Sequence, residues 1–197
     1  MNQTSKYYDR RSSFFREYFE KGLPFPDYIA SGDSGQQARW KEYAMRIKPG
    51  DSQYKLLLSF KRRINVLVLS GIWCGDCARQ GPMLRAIEEA APTITVHFVE
   101  SRANPELQDE LRILGATRVP VVVALSEDFF EVSRFGDRTL GAYRHKAEDE
   151  FGPACDAGLG NQSPPELAEE LAEWVAHFER IQLMLRLAPA LRERYQD

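Results

Sequence analysis

Three short apolar segments separated by amphipathic ones constrain the fold of this chain more than any other feature. The apolar segments are Asn65–Ser70, Ile94–Val99 and Val121–Leu125, and each predicts a strand. The first is nearly continuous in apolar residues, as a strand buried on both faces should be. Helical patterns lie between them, over residues 77–91 and 105–114. The spacing is typical of βαβ units, in which consecutive strands join one sheet.

A fourth strand is predicted over Phe129–Phe135, closed by Gly136-Asp137. It follows the third strand closely and predicts an antiparallel hairpin with it. Gly115 is expected to end the second helix in the left-handed conformation. The sequence therefore predicts an α/β fold with a central mixed sheet flanked by helices.

The residues before this region predict helices alone. Helical spacing runs over Thr4–Lys21, with Gly22 as a stop, and again over about 36–47. Residues 23–28 (LPFPDY) are predicted to form a turn, and Asp51 is predicted to cap a further helix. We interpret residues 1–61 as a helical N-terminal extension packed on the core.

The end of the chain predicts a loop, a long helix and a polar tail. The Gly-rich residues 151–162 indicate a loop within an insertion at about 141–162, and Ser163 to Glu166 have the form of a capping box. We interpret residues 62–187 as the main domain and residues 188–197 as a C-terminal tail. The helix after the capping box is expected to bury one stripe of residues: Leu167, Leu171, Trp174, Phe178, Ile181 and Leu185.

Two cysteines lie where the first strand meets the first helix after it. In the sequence IWCGDC, Cys74 is predicted at the first helical position, where free N–H groups and the helix dipole favour a thiolate. Cys77 follows one turn later on the same side and is expected to be more buried. Cys74 is then the attacking thiol and Cys77 the resolving one. Gly75 allows a partner backbone to approach, and Trp73 forms an apolar wall beside the sulfur.

These residues resemble the thioredoxin family. The motif WCGDC is similar to the W-C-G-P-C of that family, with Asp76 at the usual proline, and Pro82 is similar to its helix-kinking proline. Residues 118–120 (RVP) resemble the segment around its cis-proline, and Gly136 resembles the glycine after its last strand. The resemblance covers roughly residues 64–137 and a final helix, and it is closest to a bacterial branch with added N-terminal helices.

The resemblance implies a thioredoxin-like fold and a thiol–disulfide oxidoreductase. Cys74 and Cys77 would alternate between dithiol and disulfide, so no bound cofactor is expected. The implied partners are protein or small-molecule disulfides and an upstream reductant of unknown identity. A cis Val119–Pro120 bond is expected beside the cysteines, because a proline directly before a buried strand lacks the ladder donor. The residues expected to bind substrate are Trp73, Gly75, Val119 and Pro120.

One position departs from the family pattern. The family usually carries a buried aspartate six residues before the first cysteine, and here Val68 takes that position. Asp76 is a candidate replacement, as acceptor of the Cys77 proton. Its carboxylate is also expected to raise the pKa of Cys74, above that of an Asp76→Pro variant. An equally simple interpretation is that Asp76 only stabilises the first helical turn.

Composition excludes several classes of function. A net charge of −3 gives no reason to expect nucleic acid as a partner. No apolar run has the length of a membrane span and the N-terminus lacks a signal peptide, so we expect no membrane association and a cytoplasmic location. A reducing compartment favours catalytic or metal-binding cysteines over a structural disulfide.

Other interpretations of the cysteines remain open. A zinc site would need ligands from Cys155, His97, His145 or His177, although no second C-x-x-C pair is present. Cys155 is interpreted as a loop cysteine, with a redox sensor as the alternative. The second hypothesis of function is a protein-interaction module on the same fold, with inert or zinc-binding cysteines. No nucleophile elbow or phosphate-binding loop is found.

Overall fold

A mixed four-stranded sheet forms the centre of the computed structural model, which describes residues 7–151 and 166–196. The strands are β1 (Ile64–Ser70), β2 (Ile94–Glu100), β3 (Val121–Leu125) and β4 (Glu131–Gly136). Their order in the sheet is β2-β1-β3-β4. β1 is parallel to β2 and antiparallel to β3, and β4 is antiparallel to β3. The α/β class and the mixed sheet predicted from the sequence are both confirmed.

Helices precede the sheet, connect its strands and follow it. α1 (Ser12–Lys21), α2 (Phe25–Ala30), α3 (Ser34–Arg46) and α4 (Asp51–Leu58) come before β1. α5 (Gly75–Ala90) joins β1 to β2, and a 3₁₀ turn (Ser101–Ala103) and α6 (Pro105–Glu110) follow β2. After β4 come α7 (Leu140–Phe151), α8 (Leu167–Leu187) and α9 (Pro189–Tyr195).

The continuous apolar composition of β1 reflects burial on both faces of the sheet. Successive side chains of a strand point to opposite faces. Val66 and Val68 therefore pack with residues of α2, α3, α5 and α8, whereas Leu67 and Leu69 pack with residues of α1 and α6. All seven residues of β1 are buried. The sheet thus lies between two layers of helices, and β1 is enclosed on both of its faces.

Trp40 of α3 attaches the N-terminal helices to the start of α5. Its side chain is fully buried, and its indole Nε1 donates a hydrogen bond to the carbonyl oxygen of Ile72 at 3.0 Å. Gly81 of α5 faces the ring so closely that a Cβ there would lie 2.2 Å from Cζ3 of Trp40. Helix α3 therefore fixes both α5 and the loop that precedes it.

Two predictions in the N-terminal helices were wrong. Residues 23–28 were expected to form a turn, but Phe25 begins α2. Pro24 is its N-cap and Pro26 lies in its first turn, where a missing N–H breaks no hydrogen bond. Asp51 was expected to cap α4, but Gly50 holds that position, and its N–H donates to the side chain of Gln53 at 2.9 Å.

Several predicted boundaries also shift. Within the described residues, α1 begins at Ser12 and not at Thr4. The helix predicted over residues 105–114 ends at Glu110, and Gly115 lies in a tight turn, with φ of 51° at Leu114 and 75° at Gly115. Gly115 thus has the positive φ that was expected, but not as a helix cap.

The C-terminal half adds helices that the sequence pattern did not indicate. α7 occupies part of the predicted insertion, and α9 lies in the predicted tail. The predicted loop after Phe151 and the Ser163 capping box lie outside the described residues, and Glu166 is the N-cap of α8. The stripe on α8 is confirmed: Leu171, Trp174, Phe178, Ile181 and Leu185 are buried, and Leu167 packs beside them.

None of the helices within residues 7–151 and 166–196 has both the length and the apolar character that crossing a membrane requires.

The contact between Gly81 and Trp40 leads to a stability prediction. Gly81→Ala forces the buried ring to move, and overpacking of this kind costs roughly 1–3 kcal/mol. Alanine gains about 1 kcal/mol in helix propensity, so we expect a net loss of up to about 2 kcal/mol in the free energy of unfolding, and a lower stability than that of Gly75→Ala. Urea unfolding measures this change in the free energy of unfolding. Gly75→Ala in the same helix is the matched control, because a Cβ there meets nothing within 4 Å. Equal stability of the two variants would contradict this packing.

Candidate active site

Cys74 is the N-cap residue of α5, one position earlier than predicted. Its backbone is extended, with φ −81° and ψ 131°, and its N–H donates to the carbonyl oxygen of Gly71 at 2.9 Å. A residue at this position faces the free N–H groups of the second and third helical residues. Here these belong to Asp76 and Cys77, so both N–H groups lie near the Cys74 sulfur, although the side chain makes no capping hydrogen bond of normal geometry.

The surroundings of Cys74 favour its thiolate. The pKa of Cys74 is lowered to about 6, first because the Cys77 thiol donates a hydrogen bond to the sulfur. Partial burial and the Asp76 carboxylate raise this pKa, and the backbone N–H groups of Cys77 and Asp76 lower it. Cys74 is half-buried, so the charged sulfur remains accessible to a substrate.

Cys77, in contrast, is buried and favours its protonated thiol. Its side chain is 1% exposed, and burial raises the pKa of its thiol well above the ordinary value. The neighbouring Cys74 raises this pKa as well. The N–H of Gly71 donates to the Cys77 sulfur at 3.4 Å. Both cysteines are free thiols in this structure, with one ionised near neutral pH and the other protonated.

The loop before β3 lies against Cys74. The predicted cis bond between Val119 and Pro120 is present, and the Val119 carbonyl oxygen lies 3.7 Å from the Cys74 sulfur. Residues 117–120 belong to no strand. Gly136 faces this loop from β4, where a Cβ would lie 2.9 Å from the carbonyl oxygen of Pro120. The structure thus brings together the segments that the sequence singled out around residues 74, 120 and 136.

Trp73 and Gly75 form the open side of the site. The Trp73 side chain is 38% exposed, and its Nε1 donates to Oε1 of Glu100 at 3.3 Å. The guanidinium of Arg102 stacks on the Trp73 ring, 4.2 Å from its centroid. A Cβ at Gly75 would meet nothing within 4 Å. The two neighbours of Cys74 in the chain are thus a partly exposed indole and an unobstructed glycine.

The structure changes the expectation for Asp76. Its carboxylate pairs with Arg138, with Nη2 and Oδ2 2.8 Å apart, so its charge is partly compensated. Its backbone N–H lowers the pKa of Cys74 more than its carboxylate raises it. Asp76→Pro would remove that N–H together with the carboxylate, so the proline variant is now expected to have the higher pKa of Cys74.

A buried aspartate beside the site was missed by the sequence analysis. Asp137 is 3% exposed and accepts hydrogen bonds from Arg118 at 3.1 Å, from Arg138 at 3.1 Å and from the hydroxyl of Tyr143. Burial raises the pKa of Asp137, but these partners outweigh it, and the pKa is lowered. The cluster ties the loop carrying Val119 to the end of β4 and to α7. Its members share no sequence motif that would have indicated it.

No zinc site forms in the part of the chain that the structure describes, where no three His, Cys, Asp or Glu side chains cluster as a metal would require. Each histidine has a different neighbour: His97 bonds the carbonyl oxygen of Phe19 at 2.7 Å, His177 bonds Ser133 at 3.2 Å, and His145 lies 3.5 Å from Asp149. Cys155 lies outside the described residues.

Comparison with known proteins gives both a sequence match and a structural match. A thioredoxin family model matches residues 22–145, which is more than half of the chain. The matched segment includes α2, α3 and α4 as well as all four strands. No curated protein sequence matches the chain.

Two solved structures have similar folds. One is a protein of unknown function from Pseudomonas aeruginosa, with a TM-score of 0.65 and 20% identity, covering 84% of this chain and 95% of that one. The other is an engineered HIV epitope scaffold, with a TM-score of 0.63 and 22% identity, covering 84% of this chain and 97% of that one. At these identities the likeness concerns the fold alone.

The geometry at the start of α5 predicts how Cys74 titrates. Its alkylation rate in the reduced protein is expected to be half-maximal near pH 6. Asp76→Asn should lower this midpoint, because it removes a carboxylate and keeps the N–H, and Asp76→Pro should raise it. Iodoacetamide labelling across pH, read by peptide mass spectrometry, measures both. Preferential labelling of Cys77, or an unchanged midpoint in both variants, would contradict the assignment.

Proposed function

This chain belongs to the thioredoxin family, and on that premise we propose that it is a thiol–disulfide oxidoreductase that reduces protein disulfides through Cys74 and Cys77. The observation that carries the proposal is the contrast between the two thiols. Cys74 is accessible and has its pKa lowered to about 6, whereas Cys77 is buried and has its pKa raised. A nucleophile beside a protonated resolving thiol is what a two-step exchange requires.

In the first step the Cys74 thiolate attacks one sulfur of the substrate disulfide. A mixed disulfide forms, and the other substrate sulfur leaves as a thiolate that takes a proton from solvent. In the second step Cys77 loses its proton and attacks the Cys74 sulfur. The second substrate thiol is released, and Cys74 and Cys77 are oxidised to a disulfide. An external dithiol reductant then restores the two thiols.

The surface around Cys74 suits an extended polypeptide. Residues 117–120 lie outside the sheet and beside the sulfur, so their backbone can pair with a substrate segment as a short added strand. The partly exposed Trp73 ring offers an apolar surface for a substrate, and Gly75 leaves room for a substrate main chain. These features favour disulfides in unfolded or flexible segments of proteins.

The proposal predicts separate phenotypes for the three cysteines. With insulin as substrate and dithiothreitol as reductant, Cys74→Ser should reduce turnover to the uncatalysed background. Cys77→Ser should accumulate a mixed disulfide with substrate, because nothing resolves it. Cys155→Ser is the matched control and should retain the wild-type rate.

Non-reducing electrophoresis and mass spectrometry identify the trapped species. If the wild-type protein does not reduce insulin, the oxidoreductase proposal fails, and the alternative function as a protein-interaction module is favoured. A mixed disulfide on Cys77 in the Cys74→Ser variant would reverse the two roles.

A further inference from the structure

The second step of the proposed reaction raises a problem of proton transfer, and the following inference rests on that proposed function. Cys77 must lose a proton before it attacks the mixed disulfide, yet its sulfur is 1% exposed and burial favours the protonated thiol. The strand position that holds an acid in related chains is Val68, which is apolar and buried. The thiol therefore needs another route by which its proton reaches water.

Ser70 lies beside this thiol at the end of β1. Its side chain is fully buried, and among the described residues its hydroxyl makes no hydrogen bond of normal geometry. The next residue, Gly71, donates its N–H to the Cys77 sulfur. Burial raises the pKa of both Cys77 and Tyr28, and the Ser70 hydroxyl lowers the pKa of each. Ser70 also lies on the same face of β1 as Val66 and Val68, which pack in one cluster with Tyr28 and Cys77. The hydroxyl is therefore on the side of the sheet that holds both the thiol and the phenol.

Tyr28 of α2 connects this buried hydroxyl to a carboxylate. Its side chain is 1% exposed, and its ring stacks on Phe98 with centroids 5.3 Å apart. Its hydroxyl donates to Oε2 of Glu100 at 3.0 Å. Burial raises the pKa of Tyr28 far above its ordinary value, so the phenol keeps its proton as a donor. The free lone pairs of its oxygen can then accept a hydrogen bond.

Glu100 connects the Tyr28 hydroxyl to the protein surface. It ends β2, directly opposite Ser70 in the parallel register, and its side chain is only partly buried. Besides Tyr28, its carboxylate accepts hydrogen bonds from the N–H of Ile72 at 3.1 Å and from Nε1 of Trp73 at 3.3 Å. These donors fix the carboxylate where it faces both the buried phenol and solvent.

We propose that Ser70, Tyr28 and Glu100 form a relay that carries the proton of Cys77 out of the protein during the resolving step. In the relay Ser70 takes the proton of the reacting thiol, and Tyr28 and Glu100 act behind it. Because the Tyr28 hydroxyl donates to Glu100, its oxygen is the acceptor for the Ser70 hydroxyl in the relay. The Ser70 oxygen is the acceptor for the Cys77 thiol, and since Ser70 makes neither hydrogen bond in this structure, both form as the proton moves. The hydrogen bond to Glu100 thus sets the direction of the whole relay.

The transfer balances atom by atom. The Cys77 proton moves to Ser70, the Ser70 proton to Tyr28, and the Tyr28 proton to the Glu100 carboxylate, which releases it to water. Both hydroxyls end unchanged. The electron pair left on the Cys77 sulfur forms the bond to Cys74, and the pair of the broken Cys74–substrate bond leaves with the substrate sulfur.

Charged groups on the elements around Cys77 are paired or take part in the exchange. On the α5 side these are the Cys74 thiolate, which is consumed in the first step, and Asp76, whose carboxylate pairs with Arg138 of the segment after β4. On the α8 side Glu170 pairs with Arg79, and after β4 Asp137 pairs with Arg118 and Arg138. On the β2 side, Arg102 stacks on Trp73, and its backbone N–H lies 3.5 Å from Oε1 of Glu100. Glu100 is the carboxylate to which the buried Tyr28 hydroxyl donates.

The experiment separates the two chemical steps. Reduced protein in a Cys155→Ser background is mixed with the disulfide reagent DTNB in a stopped-flow instrument. Attack by Cys74 releases one nitrothiobenzoate, and attack by Cys77 on the mixed disulfide releases a second. In Tyr28→Phe, Ser70→Ala and Glu100→Gln, the second phase should slow at least about tenfold at neutral pH and its pH profile should move to higher pH. The first phase should keep its rate.

Two comparisons distinguish a relay from a structural effect. Tyr18→Phe is the matched control, because Tyr18 is another buried tyrosine whose hydroxyl donates to a glutamate, Glu106 at 3.3 Å, and it packs on the other face of the sheet. Tyr18→Phe should change the rate of neither the first nor the second nitrothiobenzoate release. The double variant Tyr28→Phe/Glu100→Gln should be no slower than either single variant, since one break stops a linear relay.

The outcomes that overturn the relay are distinct. An unchanged second phase in Tyr28→Phe and Ser70→Ala, or equal slowing of both phases without a shift in the pH profile, would overturn the relay and leave the oxidoreductase intact. A wild-type protein with no phase that depends on Cys74 would overturn the proposed function and the relay together.

Discussion

The burial of β1 on both faces is the constraint on which the site depends. Because both layers of helices pack against this strand, its end is fixed, and the chain has only residues 71–74 in which to turn into α5. Those residues are held by hydrogen bonds from Cys74 to Gly71, from Gly71 to the Cys77 sulfur and from Trp40 to Ile72. The positions of both sulfurs are therefore set by the core, and substrate binding does not have to order them.

The helices before β1 contribute residues to the candidate site as well as to the packing. From the sequence, residues 1–61 were interpreted as a helical extension packed on the core. Trp40 is a core residue, and it also holds the loop that leads to Cys74. Tyr28 lies in a helix that was predicted as a turn, and it brings a hydroxyl to Glu100 at the edge of the site.

The sequence predicts features that depend on neighbours along the chain and fails where distant residues meet. The strand β1, the cysteine pair at the start of α5 and the cis bond before Pro120 each depend on a local pattern, and each is present. The cluster around Asp137 joins residues up to 25 positions apart, from Arg118 to Tyr143, and only the folded chain brings them together. α7 was missed for a related reason, since none of its residues is buried and no apolar stripe distinguishes it.

The N-cap position of Cys74 also has a consequence for the direction of electron flow in the proposed reaction. The N–H groups and the Cys77 thiol that lower its pKa to about 6 stabilise the thiolate, and this stabilisation is lost or weakened when a disulfide forms. Each of them therefore favours the reduced protein and makes the disulfide easier to reduce. The Asp76 carboxylate acts in the opposite sense, and Arg138 limits its effect. Because Asp76 supplies both an N–H that stabilises the thiolate and a carboxylate that opposes it, its side chain can adjust the redox potential without disturbing the start of α5.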